Sequence, residues 1–265
     1  MGRRKLKLLE SRRLLTLLLA GVFLWSLSTV DWRGPLIHTG GLAAFLNFVV
    51  SLFPPEMSPG FLGLALSASW QTLAYAVAGI TLAVLIGFPL GVIASGSVSG
   101  SPRTGLGLAV AVRLILAAMR SIHELVWAIL FVAAFGLSSL TVILALALPY
   151  GGILGRIYGE LFNLMPEDPL RALRASGASP FRVLLYGRLP MALPDMLGYT
   201  FYRLECAIRS AAIMSFVGIR GVGYEIQLSL HDLLFDQVWT LLLFMVGMVV
   251  LVDMWSSRVR RSLVT

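Results

Sequence analysis

The chain of 265 residues holds one cysteine, Cys206, which excludes an intrachain disulfide and any cysteine-cluster metal site. Histidine is almost as scarce. His38, His123 and His231 lie far apart, and no H-E-x-x-H or comparable ligand spacing occurs. No G-x-x-x-x-G-K-[ST] loop is present, so the chain does not itself bind ATP in that manner. Charge is the most telling shortage: Asp, Glu, Lys and Arg make up 13% of the residues, about half the share usual in a soluble domain. Short segments of alternating polarity are also missing, which argues against a membrane β-barrel.

What fills the chain instead is apolar sequence. Hydrophobic residues account for 58% and the mean hydropathy is +0.87. Several uninterrupted stretches approach or exceed the ~20 residues that carry a helix across hydrocarbon. Lipid offers no hydrogen-bond partners, so such stretches must be helical. The expectation is an all-α polytopic membrane protein with about six spans.

The first span candidate, Leu14 to Val30, follows the basic stretch Met1 to Arg13. A cleaved signal peptide is the competing reading, with Ser26-Leu27-Ser28 as its small-x-small site. Asp31 to Gly60 is mixed, broken by Gly40-Gly41, Pro54-Pro55 and Pro59. Within it, Leu42 to Phe53 reads as a short interfacial or membrane-dipping helix. Further spans are expected at about 67–94, 105–135, 139–158, 191–217 and 238–255. A turn-rich loop (95–104) follows the second span, and a polar, glycine-containing stretch (219–237) precedes the last. This describes one transmembrane domain over 1–265, with an anchor helix and an external segment in 1–60 and a core in 61–260.

The net charge of +8 would suggest nucleic acid in a soluble protein. Here it follows the excess of Lys and Arg in cytoplasmic loops. With both termini cytoplasmic, fifteen Lys or Arg fall inside, against only Arg33 and Arg220 outside. The expected partners therefore include membrane lipid and exclude nucleic acid.

Four arginines, Arg113, Arg120, Arg203 and Arg209, fall within spans, where a charge costs at least ~2.5–3.5 kcal/mol at mid-bilayer. Arg113, Ala117, Arg120 and Glu124 follow i, i+4, i+7, i+11 and would share one helical face. Glu205 and Arg209 are spaced for an i, i+4 ion pair, and Tyr199 and Arg203 share another face. These groups either pair to fix helix packing or line a net-positive path. Two nearby acids, Glu124 and Glu205, against four arginines favour a path for an anionic solute.

Residues 168–190, D-P-L-R-A-L-R-A-S-G-A-S-P-F-R-V-L-L-Y-G-R-L-P, form a basic segment between two spans. Asp168-Pro169 and Ser179-Pro180 each read as an N-cap followed by a first-turn proline. Two short surface helices are expected, with a bend at Gly177-Ala178, the second ending near Gly187 and Pro190 opening the next span. Such a segment suits either anionic lipid or a cytoplasmic partner.

The spacing resembles the cytoplasmic signature of bacterial ABC importer permeases, E-A-A-x3-G-x9-I-x-L-P. Ala172, Gly177, Leu189 and Pro190 match, Leu173 stands at the third position, Arg171 replaces Glu and Gly187 replaces Ile. More closely, M-R-S-I-H-E-L-V-W-A (119–128), F-Y-R-L-E-C-A-I-R-S-A (201–211) and F-V-G-I-R-G-V-G (216–223) resemble motifs of the phosphonate-type permeases. The resemblance implies a type I ABC importer permease fold in the bacterial inner membrane, without enzymatic activity of its own. It implies a coupling loop at about 160–190, with Arg171, Ala172, Leu173, Gly177, Ala178, Leu189 and Pro190 facing a separate ATPase. It further implies a homodimer, an ATPase dimer that carries the ATP and Mg, and a periplasmic or lipid-anchored binding protein. No cofactor is expected in this chain. The cargo would be phosphonate, phosphite, hypophosphite or phosphate, passing Arg113, Arg120, Glu124, Arg203, Glu205 and Arg209. Gly218, Gly221 and Gly223 would form a periplasmic gate. The alternatives are an ABC permease for another small anion, an ion-coupled secondary transporter, for which no internal repeat is evident, and a non-transporting scaffold.

Overall fold

The computed structural model describes residues 2–30, 32, 41–97 and 102–264, and every regular element among them is a helix. Gly40, Arg33 and residues 98–101 of the turn-rich loop lie outside the described residues. The chain divides into two units, Met1–Val50 and Ser51–Thr265. The first holds α1 (Gly2–Thr29), apolar from Arg12 onward, and α2 (Gly41–Val50). At ten residues, α2 rises only ~15 Å and cannot cross a bilayer.

The second unit begins with α3 (Pro59–Ser95). Glu56 prepares its start by accepting the Ser58 N–H at 2.8 Å. Hydrogen bonds from the Ser58 side chain and backbone hold the Glu56 carboxyl below the usual range, against a smaller opposing effect of desolvation. Thirty-seven residues rise ~55 Å, well beyond the ~30 Å hydrocarbon core. The expected start near Ser67 is thus eight residues late. Pro59 is the reason, since proline is tolerated in a first helical turn.

The expected third span is two helices, α4 (Pro102–Ser121) and α5 (Glu124–Phe135), bent by 86°. His123 causes the break: its backbone is extended (φ −64°, ψ 143°) and its Nδ1 accepts the Leu125 N–H, capping a new helix. Arg113 and Arg120 therefore do not share a helical face with Glu124. α6 (Ser139–Leu164) runs six residues past its expected end at Tyr158.

After α6 come α7 (Glu167–Ala175) and α8 (Pro180–Val183). Pro166, rather than Asp168, precedes the first turn of α7. Glu167, Asp168 and Pro169 all fit that turn, where N–H groups have no intrahelical partner and carboxylates are favoured. α8 does not end near Gly187. It continues through a π turn (Leu184–Arg188) into α9 (Leu189–Met214). Pro190 has no N–H for the ladder, and the neighbouring Leu189 N–H reaches back five residues to the Leu184 carbonyl. The wide turn absorbs the proline that the sequence presents as a helix start. A short 3-10 turn, α10 (Val222–His231) and α11 (Phe235–Val264) complete the unit, so the polar, glycine-containing stretch 219–237 is largely helical.

Among the described residues, four helices are long and apolar enough to cross a membrane, and two bent pairs, α4 with α5 and Pro180–Val217 with α10, raise the number to six. The core centres on α3 against α6. A Cβ on Gly87 would stand 2.8 Å from the Gly151 carbonyl, and one on Gly91 would stand 2.7 Å from the Gly155 carbonyl. The two helices therefore run parallel with their backbones touching, as small residues permit in membrane bundles. α9 returns antiparallel along α6, where Tyr158 and Tyr150 meet Thr200 and Ser210 in turn.

Because backbone atoms form this contact, a side chain added there cannot be relieved by a rotamer change. Gly155→Leu is expected to cost about 1–3 kcal/mol or more, read as a lower melting temperature in detergent. Gly247→Leu, at a glycine with open space around it, serves as the tolerated control.

Candidate functional site

The end of α7 explains the glycine of the 168–190 segment. Ala178 N–H bonds the Leu173 carbonyl at 3.1 Å and Gly177 N–H bonds the Arg174 carbonyl at 3.0 Å. That pairing is a Schellman ending, which requires a left-handed residue, and Gly177 supplies it at φ +83°. Ser179 then caps α8 by accepting the Arg182 N–H. The elbow is exposed: Arg171, Ala172, Ala175, Ser176 and Gly177 face outward. Arg171 has only Asp168 nearby, at 3.9 Å, with both side chains largely in solvent.

The inner side of α7 is firmly held. Leu170 is fully buried, and a Cβ on Gly187 would stand 2.7 Å from Leu170 Cδ2 and 2.9 Å from Leu173 Cδ1. Leu173 and Gly187 are two of the chain's departures from the permease signature, and they face each other. A large residue on α7 fills the room left by a missing one on the π turn.

Polar ties reinforce this packing. Arg188, only 12% exposed, reaches Glu167 at 3.6 Å, Ser97 at 2.5 Å and Asn163 at 3.5 Å. Arg174 reaches the other Glu167 oxygen at 3.1 Å. One arginine thus joins α7, the C-terminal end of α3, the end of α6 and the start of α9. A guanidinium this buried needs such partners. No sequence signal marks the set, because its members meet only after the chain has folded.

The six charged residues expected along a path fall into separate groups. Arg113 and Arg120 wall a cavity of about 370 Å3 between α4 and α6, which also takes in Arg156. Glu124 instead accepts the Ser210 hydroxyl of α9 at 2.6 Å. With that proton committed, Tyr150 OH donates to Ser210 Oγ at 3.1 Å, so α5, α9 and α6 meet at one carboxylate. Trp127, one turn beyond Glu124, carries the only buried side-chain polar atom without a partner among the described residues, its Nε1. Arg203 lies over Tyr199 (5.0 Å) and Tyr202 (5.5 Å) and donates to the Tyr199 hydroxyl at 3.0 Å, a cation–π site. Glu205 and Arg209 pair at 3.7 Å, and Arg209 also reaches Cys206 Sγ.

The three glycines expected at a gate sit at the opposite end of the bundle from α7. Gly218 is left-handed at φ +101°. Gly221 and Gly223 serve close packing: added Cβ atoms would collide with Ser215 Oγ and the Ala212 carbonyl. Val222 N–H then bonds Thr72 Oγ1 of α3 at 3.0 Å. Gly218 and Arg220 border a cavity of about 610 Å3 with Trp70, Gln71 and Tyr75.

Residues 87–264 match the model of a family described as binding-protein-dependent transport system inner membrane component. The chain is 34% identical over 235 residues to the phosphite transport system permease protein PtxC of Stutzerimonas stutzeri, covering 87% of this chain and 83% of that one. It is 27% identical over 213 residues to the phosphate-import permease protein PhnE of Mycolicibacterium smegmatis, covering 80% of this chain and 39% of that one. In fold it is similar to a chain of the inward-facing MetNI methionine ABC transporter, with a TM-score of 0.69 at 24% identity. That likeness covers 78% of this chain and 99% of the other.

The facing Leu173 and Gly187 yield a double-mutant test. Gly187→Ile and Leu173→Ala should each lower the melting temperature, the first by overpacking and the second by leaving a gap. The double variant should be more stable than the sum of the two predicts, by a coupling of about 0.5–3 kcal/mol. Strict additivity would mean that the two positions do not share this space.

Proposed function

The chain belongs to the family of binding-protein-dependent transport system inner membrane components, and we propose that it is the membrane-spanning subunit of an ATP-driven importer for a small phosphorus oxyanion. The observation that carries this reading is the exposed elbow at Gly177, built from small residues outside and fastened inside through Glu167 and Arg188. It offers a partner close approach, and it transmits displacement into α3, α6 and α9 together. The chain supplies the coupling surface and hydrolyses no ATP itself. Two copies would stand over a cytoplasmic ATPase dimer that holds ATP and Mg, with both termini on the cytoplasmic side and a binding protein at the far end near Gly218.

Phosphite and phosphate relatives support the cargo class. So does the excess of arginine over acid within the bundle, since uncompensated positive charge favours an anion. Arg113, Arg120, Arg203 and Arg209 would line or brace the route, while Glu124 and Glu205 limit how tightly an anion is retained. Closure of the ATPase subunits pulls on α7. The displacement passes through the Arg188 ties to the long helices and opens the bundle alternately at its two ends.

Two measurements test the reading. Gly177→Asp forces a side chain into the left-handed region and adds a negative charge at the elbow, so ATPase co-purification and stimulation should both fall. Undiminished binding with full stimulation would remove the coupling role. In proteoliposomes with the ATPase and binding protein, phosphite uptake should require ATP, and Arg209→Ala should lower kcat/KM about tenfold or more. Uptake without the ATPase would favour an ion-coupled carrier, and normal uptake by an intact Arg209→Ala complex would remove that arginine from the route.

A further inference from the structure

Arg156 lies near the end of the expected 139–158 span, among the cytoplasmic cations, and the fold brings it to the same cavity as Arg113 and Arg120. Glu160 also lines it, bonded by Arg156 Nε at 2.7 Å, and Asn163 adds an amide. Three guanidinium groups against one carboxylate leave two positive charges. Arg113 donates its Nε to the Ala94 carbonyl at the end of α3, which leaves its terminal nitrogens unbonded among the described residues. Arg120 has no protein partner among them.

The spacing of these arginines is set by backbone contact. A Cβ on Gly152 would stand 2.8 Å from the Leu116 carbonyl and 3.2 Å from Arg120 N. α4 is therefore pressed against α6 with its register fixed, and the backbone positions that carry Arg113, Arg120 and Arg156 hold their relation. Guanidinium groups arriving from two helices suit a tetrahedral group, which offers oxygens in several planes, better than a flat carboxylate. The volume of about 370 Å3 is within the range of small-ligand sites.

We propose that this cavity binds a phosphate-type oxyanion group, held by Arg113, Arg120 and Arg156. Beside the last turns of α3 and α6, it lies at the α7 end of the bundle. The group can arrive as free solute or as the headgroup of an anionic phospholipid, and the chemistry of recognition is the same. Naming phosphite as the free occupant rests on the function proposed above; the site itself does not.

The permease–ATPase complex, without binding protein, separates these sources. In nanodiscs of zwitterionic lipid, the complex is titrated with inorganic phosphite and its thermal shift recorded. In parallel, native mass spectrometry counts phosphatidylglycerol retained by the complex purified from phosphatidylglycerol-containing membranes. Arg120→Gln removes a cation on which no described protein group depends, so folding is spared. A phosphite midpoint raised about tenfold in Arg120→Gln, and further in Arg120→Gln/Arg156→Gln, identifies a solute site. A similar loss of retained phosphatidylglycerol identifies a headgroup site, and Arg120→Lys should recover part of either effect. No change in either measurement for the double variant overturns the proposal. Uptake is scored separately. A complex that imports phosphite yet shows neither change loses the site and keeps the importer reading, whereas one that does not import but sheds phosphatidylglycerol does the reverse.

Discussion

Everything in the second unit depends on the contact between α3 and α6, where glycine lets two parallel backbones touch. In lipid, helices gain no hydrophobic free energy by associating, so close packing of small residues must supply the cohesion. A parallel pair also fixes which helix ends lie together. The C-terminal ends of α3 and α6 come to one end of the bundle, where Ser97 and Asn163 are within reach of Arg188. The elbow at Gly177 is therefore mounted on the closely packed α3–α6 pair. A returning segment, here α4 with α5, is the necessary consequence, because the chain must travel back before it can run parallel again.

The elbow itself combines an exposed exterior with a packed interior. Its outer face is a run of small residues and partly solvated arginines, whose ion pairs contribute little. Inside, Leu170 is fully buried and Arg188 is mostly so. Through Arg188 the inner side of α7 is tied to the ends of α3 and α6 at the start of α9. The Leu173–Gly187 pair keeps that interior filled while departing from the permease signature at both positions. The bulk sits on α7 and the missing side chain on the π turn, so the space between them stays filled.

Much of this was legible in the sequence where a residue type has one strong physical use. Gly177 as a helix ending and Ser179 as a cap were readable because left-handed backbone and N-cap acceptance single out those residues. The Glu205–Arg209 pair followed from spacing alone. Other features were hidden for stated reasons. His123 is not a punctuating residue, so the apolar period ran through it and placed Arg113 and Glu124 on one face. Pro190 does stand in the first turn of α9, but the π turn that joins α9 to α8 leaves no mark in sequence. Glycines four apart at 151, 155 and 159 did carry the α6 seam, but the Glu124–Ser210–Tyr150 cluster and the Arg156 cavity needed a register between distant helices.

The in-span arginines illustrate how a membrane bundle grades its charges. Arg209 has a carboxylate, Arg203 has two aromatic faces, and Arg113 has a helix-end carbonyl. Each arrangement lowers the cost of a cation away from bulk water by a different route, and each commits part of the guanidinium to the protein. Arg120 receives none of these. With no protein partner among the described residues, Arg120 must take its partner from outside them, as water, lipid phosphate or solute. A transport route for anions requires such uncommitted charge, since a cation fully satisfied by the protein attracts nothing and one fully buried with a bound anion releases nothing. Of the four arginines, Arg203 and Arg209 are held by protein groups, Arg113 is held through its Nε alone, and Arg120 is open among the described residues, the gradation that such a route would use.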